Sequence, residues 1–222
     1  MKLVLISDTH GQHTRLALPA GDTLIHAGDW SRAGKEIDTI IFLKWFQSQP
    51  HRNKIFIAGN HDWFPEKHPA EFKDLLAIHA PDCIYLEDSP VIVDGYSIYG
   101  SPGSPFFNNW AFNYYRGSQI RAHWDKIPDG TEILLTHGPV SGILDQVKMV
   151  GSPNRGQHVG CQDLKEAVDK RLTRLICHIS GHIHEEYGMQ EENGVKYFNC
   201  SVLNEHYQLA NEPHVVDIPD KK

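Results

Sequence analysis

Short apolar runs, each followed by a cluster of polar side chains, recur along most of this chain. The runs span residues 3–6, 22–26, 54–58, 132–135 and 175–179. Their length and their content of leucine and isoleucine are typical of buried β-strands. The clusters that follow are Asp-Thr-His from residue 8, Gly-Asp from 28, Gly-Asn-His-Asp from 59, Thr-His-Gly from 136 and Gly-His-Ile-His from 181. The pattern therefore predicts strands that each deliver a polar loop.

Between these runs the apolar positions change to helical spacing. Helices are predicted at 34–48, near 70–79, near 118–126 and at 161–171. Short strands are predicted at 83–86, 91–93, 97–99, 186–190, 195–199 and 214–218, with Asp94-Gly95 as a hairpin turn. The aromatic residues of the first helix are interpreted as core. The chain thus combines strands and helices throughout, without a repeat or a linker.

Two long stretches lack a clear period and are interpreted as loops. Residues 100–117 are rich in glycine, proline and aromatic side chains, which suits either a compact surface loop or a substrate-facing one. Asn108 and Trp110 are its candidate substrate-binding residues. Residues 140–160 are longer than a structureless loop usually is, so a lid that carries Arg155 and His158 to the substrate is predicted.

Composition and charge exclude several classes of protein. The chain has 222 residues, 40% of them hydrophobic, which suits a single globular domain over 1–222 and not a disordered one. A net charge of −7 argues against binding long nucleic acids, because that binding needs clustered lysine and arginine. The four cysteines are widely spaced, so we expect reduced, mostly buried thiols in a cytoplasmic protein. No stretch has the length of a signal peptide or a membrane span.

The polar clusters contain side chains that bind metal ions. Ligands of parallel sheets bind beyond the carboxyl ends of the strands, so the clusters are expected to meet in one place. They hold Asp8, His10, Asp29, Asn60, His61, His137, His182 and His184. Such donors without thiolate suit Mn, Fe, Zn, Co or Ni, and eight of them suit two ions that share a carboxylate. We interpret His26, His178 and Cys161 as core or supporting residues.

The ordered motifs resemble the signature of the calcineurin-like metallophosphoesterase superfamily: D-x-H, G-D, G-N-H-[DE], a glycine-flanked histidine and G-H-x-H. All five are present between residues 8 and 184. The segments Asn-Trp-Ala-Phe-Asn, Leu-Leu-Thr-His-Gly-Pro and Gly-His-Ile-His-Glu are similar to the branch of metallophosphoesterase-domain proteins and class III phosphodiesterases. The resemblance implies an α/β fold, a four-layer αββα sandwich of two mixed β-sheets flanked by helices.

The resemblance also implies a role for each motif residue. One metal ion would be held by Asp8, His10 and His184, the other by Asn60, His137 and His182, and Asp29 would bridge them. A hydroxide between the metals would attack phosphorus in line, while Asn60 and the metals neutralise the growing charge. His61 would protonate the leaving oxygen, and Asp62 would orient its ring. Asp62 stands where other members carry glutamate.

The predicted function is hydrolysis of a small phosphoester, either a diester such as a cyclic nucleotide or a monoester. The aromatic loop would then stack a base, unless its rings pack only on one another. Two alternatives stay open: a catalytically weak metal-binding scaffold of the same fold, and a nuclease, which the acidic charge disfavours. The expected partner is the small substrate, with no long nucleic acid and no membrane. The oligomeric state is open, and a homodimer is one option.

Overall fold

Two mixed β-sheets form the centre of the computed structural model, which describes residues 1–221. The strands are β1 (Lys2–Ile6), β2 (Thr23–His26), β3 (Asn53–Phe56), β4 (Ile84–Tyr85), β5 (Ser89–Val93), β6 (Tyr96–Ser101), β7 (Ser104–Pro105), β8 (Asn113–Tyr114), β9 (Ile133–Thr136), β10 (Cys177–Ser180), β11 (Gly188–Glu192), β12 (Val195–Asn199) and β13 (His214–Asp217). The α-helices are α1 (Glu36–Gln47), α2 (Trp63–Lys67), α3 (Pro69–His79), α4 (Ser118–Trp124) and α5 (Gln162–Arg171). Single turns of 3-10 helix lie at His13–Arg15 and His184–Glu186.

The strands that carry the polar motifs are parallel neighbours within their sheets. The first sheet has the order β13-β1-β2-β3-β4, in which only β13 runs antiparallel to its neighbour. The second has the order β11-β12-β10-β9-β6-β5, with β12, β10, β9 and β6 parallel and antiparallel strands at both edges. Because β1, β2 and β3 are parallel, as are β9 and β10, their carboxyl ends lie at common edges of the sheets.

Three apolar layers show how the sheets and helices stack. Along β1, Leu3 and Leu5 belong to the cluster between the sheets, whereas Val4 and Ile6 belong to a second cluster with Phe42 of α1. This alternation follows from the two-residue period of a strand buried on both faces. A third cluster joins the second sheet to α4 and α5, and the predicted αββα sandwich is therefore confirmed.

Most predicted elements are present with small shifts at their ends. The Asp94-Gly95 hairpin turn is confirmed, since both residues have the positive φ values, 48° and 81°, that a tight turn of this kind uses. The helix α2 was not predicted, because five residues are too few to show a helical period. Residues 100–117 are not wholly irregular, since they contain the short parallel pair β7 and β8.

Several buried polar residues support the loops. His26 and His178 are buried, as predicted, and their rings lie 3.0 Å and 2.7 Å from the hydroxyls of Thr9 and Thr136. The four cysteines are free and buried, which confirms the prediction for them. Across residues 1–221, no helix is both long and apolar enough to cross a membrane.

Candidate metal centre and substrate pocket

The loops after β1, β2, β3, β9 and β10 meet at the carboxyl ends of their strands, as expected. Hydrogen bonds join them: the Asp8 N–H donates to the Gly28 carbonyl at 3.0 Å, and the His10 N–H donates to the Asp29 carbonyl at 3.0 Å. The His182 N–H donates to Oδ2 of Asp8 at 2.9 Å, although the two residues are 174 positions apart. The motifs at opposite ends of the sequence therefore build one site.

Four motif residues have the left-handed backbone conformation that glycine prefers. Asp8, His10, Asp29 and His182 have φ values of 54°, 40°, 58° and 69°. Each such residue costs on the order of 1–3 kcal/mol, and proteins retain this strain mainly at functional sites. Gly181 permits the close approach of two loops, because a Cβ there would overlap Oδ2 of Asp8. The backbone is thus bent to present these side chains.

Asp8, His10 and His184 form the first group of candidate metal ligands. Nε2 of His10 and Nε2 of His184 lie 3.3 Å apart, and Oδ1 of Asp8 lies 3.4 Å from the latter. Each ring donates from Nδ1 to a carbonyl, of Ser31 and of Asn204 respectively, at 2.9 Å, so Nε2 is the atom of each ring that can bind a cation. Oδ1 of Asp8 is buried without a hydrogen-bond partner. Three unpaired donors that face one point fit a cation.

Asp29 lies between this group and a second one. Its Oδ2 is 3.7 Å from Nε2 of His10 and 3.4 Å from Nε2 of His137, and its Oδ1 accepts from the His61 N–H at 2.7 Å. Together with Asp8, Asp29 and His137 form a further set whose donor atoms all lie within 4.8 Å of one another. Asp29 is therefore placed where a carboxylate shared between two ions would lie.

The remaining predicted ligands adjoin His137. Oδ1 of Asn60 is 2.8 Å from Nε2 of His137, whose Nδ1 donates to the Ala27 carbonyl at 2.9 Å. Both facing atoms are acceptors when this ring is neutral, so a proton or a cation must lie between them. The ring of His182 stands edge-on to that of His137, with centroids 5.0 Å apart. Among residues 1–221, however, no set of three close donors includes His182.

Electrostatics favour a cation at this centre. Burial lowers the pKa of His10 to about 4 and that of His182 to about 3, so both rings are neutral near pH 7. Burial also opposes ionisation of Asp8 and Asp29, but the nearby imidazoles of His184 and His137 hold the pKa of both carboxyls well below the usual range. Ionised carboxylates and the neutral imidazoles of His10 and His182 are protonation states that metal ligands need. Despite burial, the adjacent carboxylates raise the pKa of His137 to about 9 and that of His184 to about 8, so a metal ion must displace a proton from these two rings.

His61 lies at the edge of the centre, where three neighbours fix its ring. Nδ1 donates to the Arg32 carbonyl at 2.8 Å, the His10 ring stands edge-on at 4.7 Å, and the Trp110 ring stacks at 4.2 Å between centroids. One nitrogen of His61 also lies within 4.8 Å of donors on His10 and Asp29. Nδ1 is already engaged, so Nε2 is the atom available for chemistry.

The structure corrects the role predicted for Asp62. Its carboxylate is fully buried and accepts hydrogen bonds from the backbone N–H groups of Asp29, Ser31 and Gly59 at 2.8–2.9 Å. The carbonyl of Arg32, and not Asp62, is the hydrogen-bond partner of the His61 ring. Burial, together with the adjacent Asp29 carboxylate, raises the pKa of Asp62. Asp62 therefore ties the loop after β2 to the loop after β3.

A pocket of about 480 Å³ opens directly onto this centre. Its floor includes Asp29, Asn60 and His61, and its walls come mainly from the aromatic loop and from residues 140–160. The predicted Asn108 and Trp110 line it. Its lining contains a single basic side chain other than histidine, Arg116, which donates to the carbonyls of Gly160 and Val159 at 2.8 and 2.6 Å.

Two predicted substrate-binding residues, Arg155 and His158, lie outside the pocket lining. Both are exposed, and the ring of His158 instead donates to Oδ1 of the buried Asp145 at 2.5 Å. The Asp145 carboxylate also accepts from the Gly142 and Gly160 N–H groups at 2.9 and 3.0 Å. His158 therefore helps to hold the loop, because the chain path turns its ring toward Asp145. The predicted substrate roles of Arg155 and His158 stay predictions.

Sequence reasoning missed Arg116 and Tyr207. The Tyr207 ring lies 4.9 Å from that of His10 and 5.1 Å from that of His184, and it lines the pocket. Tyr207 follows the last strand of the second sheet, in a segment without a recognisable motif. The only signal for Arg116 was its position at the end of the aromatic loop, next to glycine.

Comparison with known proteins agrees with this architecture. The model of the calcineurin-like phosphoesterase family matches residues 1–186. The chain belongs to this family. It is 38% identical to human metallophosphoesterase domain-containing protein 1, over 98% of this chain and 71% of the human protein. It is also 37% identical to the probable rhamnogalacturonate lyase C of Emericella nidulans, over 86% of this chain but only 18% of that protein.

Solved structures of low sequence identity share the fold. Phosphopantetheinyl hydrolase from Mycobacterium tuberculosis superposes with a TM-score of 0.60 at 15% identity, over 93% of this chain and 90% of that one. TT1561 of Thermus thermophilus superposes with a TM-score of 0.59 at 13% identity, over 89% of this chain and 88% of that one. The family and the clustered aspartates and histidines together indicate divalent-metal binding and phosphoester hydrolysis.

Proposed function

We propose that this protein is a phosphodiesterase that uses two divalent metal ions to hydrolyse small phosphodiesters. The observation that supports it best is the position of Asp29, whose Oδ2 lies within 3.7 Å of ring nitrogens from both ligand groups. A carboxylate so placed can be shared by two ions at the separation of about 3.5–4 Å that binuclear hydrolases use. Asp29 also lines the floor of the pocket, so a bound ester would meet the centre there.

Each ion has its own set of donors in this proposal. Asp8, His10 and His184 would hold one ion, Asn60, His137 and His182 would hold the other, and Asp29 would be shared. Mn, Fe, Zn, Co and Ni all suit imidazole and carboxylate donors without thiolate. Bound there, two such ions increase the acidity of water and neutralise charge on a phosphoryl group. The chain supplies fixed donors, so little reorganisation accompanies binding.

His61 is the residue that we assign to proton transfer. Its Nδ1 is fixed by the Arg32 carbonyl, so Nε2 is the atom that gives a proton to the leaving oxygen. As the oxygen of a water that has lost one proton to solvent bonds to phosphorus, the bond between phosphorus and the leaving oxygen would break. The proton from Nε2 of the His61 imidazolium would neutralise that oxygen. Asn60 precedes His61 on the same turn and lines the pocket beside it.

The pocket walls favour a diester over a polyphosphate. They include Phe106, Phe107 and Met149, and the acidic side chains of Glu185 and Glu205 outnumber the one arginine. A diester carries a single negative charge, which the metal centre can neutralise, whereas additional phosphates would face carboxylates. A cyclic nucleotide with its base against the aromatic rings is one such substrate. Long nucleic acids fit poorly, because the chain has a net charge of −7.

The test is turnover of bis(p-nitrophenyl) phosphate and of p-nitrophenyl phosphate by metal-stripped protein titrated with Mn²⁺. We expect diester cleavage that requires metal and falls by about 10³-fold in Asp29→Ala, since metal catalysis supplies several kcal/mol. Asp74→Ala, at an exposed position of α3, is the matched control. Cleavage of the monoester alone would replace this proposal with a phosphatase. Absence of turnover on both esters after full metal loading would favour a catalytically weak metal-binding scaffold.

A further inference from the structure

The indole of Trp110 covers one face of the His61 imidazole. The two ring centroids are 4.2 Å apart and the planes meet at 29°, which is a stacked arrangement. Trp110 also lines the pocket, and the sequence analysis had interpreted it as a residue that binds the substrate. The indole face toward His61 is already occupied, and its main partner within the site is thus the histidine.

The segment that carries Trp110 is bonded to the turn that carries His61. The Ala111 N–H donates to the carbonyl of Asn60 at 3.1 Å, and the Phe112 N–H donates to Oε1 of Glu66 at 2.6 Å. Ala111 and Phe112 are buried in the core between the first sheet and its helices. The indole is therefore held on the histidine by the two residues that follow it, and not by a loop that swings freely.

Without the indole, the other contacts of His61 would leave its imidazole free to tilt about the bond that joins the ring to Cβ. One hydrogen bond from Nδ1, to the Arg32 carbonyl, defines a single direction, and the His10 ring touches only an edge. A stacked ring of the size of indole removes this freedom, because tilting the imidazole would bring the planes into contact. Stacking also suits a protonated imidazole, since the indole face attracts cations.

We propose that Trp110 is a positioning residue for His61, holding the imidazole so that Nε2 stays directed at the leaving oxygen. The assignment rests on the proposed function, in which His61 donates that proton. A displacement of about 1 Å at a reacting group can lower the rate about 10²-fold, so loss of the indole should lower kcat. The effect should grow with the basicity of the leaving group, because weakly basic leaving groups depart without a proton.

The experiment uses a series of methyl aryl phosphates whose leaving groups run from p-nitrophenol to p-methoxyphenol. In the Mn²⁺-loaded protein, Trp110→Ala should lower kcat about 10- to 100-fold for p-methoxyphenyl but less than about 3-fold for p-nitrophenyl. Trp110→Phe should recover most of the loss. Trp45→Ala is the control, since Trp45 is a half-buried tryptophan of α1 that packs on His13, with centroids 4.9 Å apart, and it does not line the pocket.

The double variant His61→Ala/Trp110→Ala separates positioning from substrate binding. If Trp110 acts through His61, the double variant should be no slower than His61→Ala alone. Additive losses, or an increase in KM that is equal for every leaving group, would overturn the assignment. Absence of turnover in the unaltered protein would overturn the proposed function and this assignment together.

A readout without turnover tests the geometry itself. In the metal-free protein, the indole ring current should shift the carbon-bound ring protons of His61 in NMR spectra. Trp110→Ala should abolish that shift, and Trp45→Ala should leave it unchanged. An unchanged His61 spectrum in Trp110→Ala would show that the indole does not stack on the imidazole in solution, which would contradict the proposal.

Discussion

The metal centre and the pocket wall are built in opposite ways. The candidate metal centre brings together the eight aspartate, asparagine and histidine residues predicted from the five motifs, most of them buried. The pocket wall, formed by residues 105–116 and 139–160 with Tyr207, exposes apolar side chains such as Phe107, Met149 and Val150, at 46%, 38% and 80%. In the centre, polar atoms are held by hydrogen bonds between loops. In the wall, apolar groups face solvent, and Arg116 ties its two segments together through the carbonyls of Gly160 and Val159.

This difference indicates that the centre and the wall have separate roles, in metal binding and in substrate binding. The centre must hold charged and neutral donors in one geometry, so it tolerates backbone strain and close packing at residues such as Asp8 and Gly181. In the proposed function the wall admits and releases a substrate, and more of its side chains are exposed. A change in the centre should therefore abolish metal binding, whereas a change in the wall should alter affinity for the substrate.

The largest effect is expected from Gly181→Ala, which tests the close packing of the centre. The added methyl group would overlap Oδ2 of Asp8 and Oγ of Ser7, both buried. Overpacking of this kind costs about 1–3 kcal/mol of unfolding free energy, and we expect metal affinity to fall about 10- to 100-fold, as for other supporting changes. Metal content after gel filtration and urea unfolding measure both effects.

Gly130→Ala is the matched control, because a Cβ at that position meets no atom within 4 Å. Its metal content and stability should equal those of the unaltered protein. If Gly181→Ala retained full metal affinity, the view of the centre as closely packed would be wrong.

A smaller and different effect is expected from Asp145→Ala in the wall. The Asp145 carboxylate accepts hydrogen bonds from the Gly142 and Gly160 N–H groups and from His158, so its loss leaves backbone donors unpaired at a cost of about 1–3 kcal/mol. The loop should open, protease cleavage within 140–160 should accelerate, and KM should rise several-fold. Metal content should not change, and limited proteolysis with kinetics would show this.

Glu191→Ala, which removes an exposed carboxylate outside the loop, serves as the control for Asp145→Ala. Loss of metal together with loop opening would mean that the wall and the centre are not independent.

The smallest effect concerns the ion cluster beneath the aromatic loop. Burial would raise the pKa of Asp88, but donors on His123, Lys126 and Ser101 at 2.6–2.7 Å outweigh it and lower the pKa from 3.8 to about 2. Tyr114 of the wall stacks on His123, with centroids 3.8 Å apart. The ionised carboxylate therefore supports the base of the wall.

Because the pKa of Asp88 is lower in the folded protein, its stabilisation is complete above pH 4 and is lost as pH falls toward 2. With allowance for solvent screening, the contribution is on the order of 1 kcal/mol. The difference in unfolding free energy between the metal-free protein and Asp88→Asn should therefore shrink between pH 4 and pH 2. A difference that stays constant over this range would contradict the assignment to the carboxylate charge.

Local pattern was sufficient for much of the fold and for the types of residue that meet at the candidate metal centre. Two-residue alternation and apolar runs depend on neighbours in sequence, so the strands carrying Asp8, Asp29 and His137 were predictable. The αββα layering and the family were predicted as well, from a resemblance carried by ordered motifs. Motif residues at strand ends converge because parallel strands share an edge, which is a property of the sheet and not of any single loop.

The pocket wall depended on the path of the chain in three dimensions. Arg155 and His158 had the right chemistry in the right loop, but Asp145 draws His158 away from the pocket. Tyr207 and Arg116 line the pocket, although neither belongs to a recognisable sequence motif. The Arg32 carbonyl, and not Asp62, accepts the hydrogen bond from the His61 ring. The sequence could not predict this contact, because every residue has a backbone carbonyl. The sequence by itself determined the layers and the metal-binding residue types. Only the tertiary structure decided which loop side chains line the pocket, because the pocket joins residues far apart in the chain.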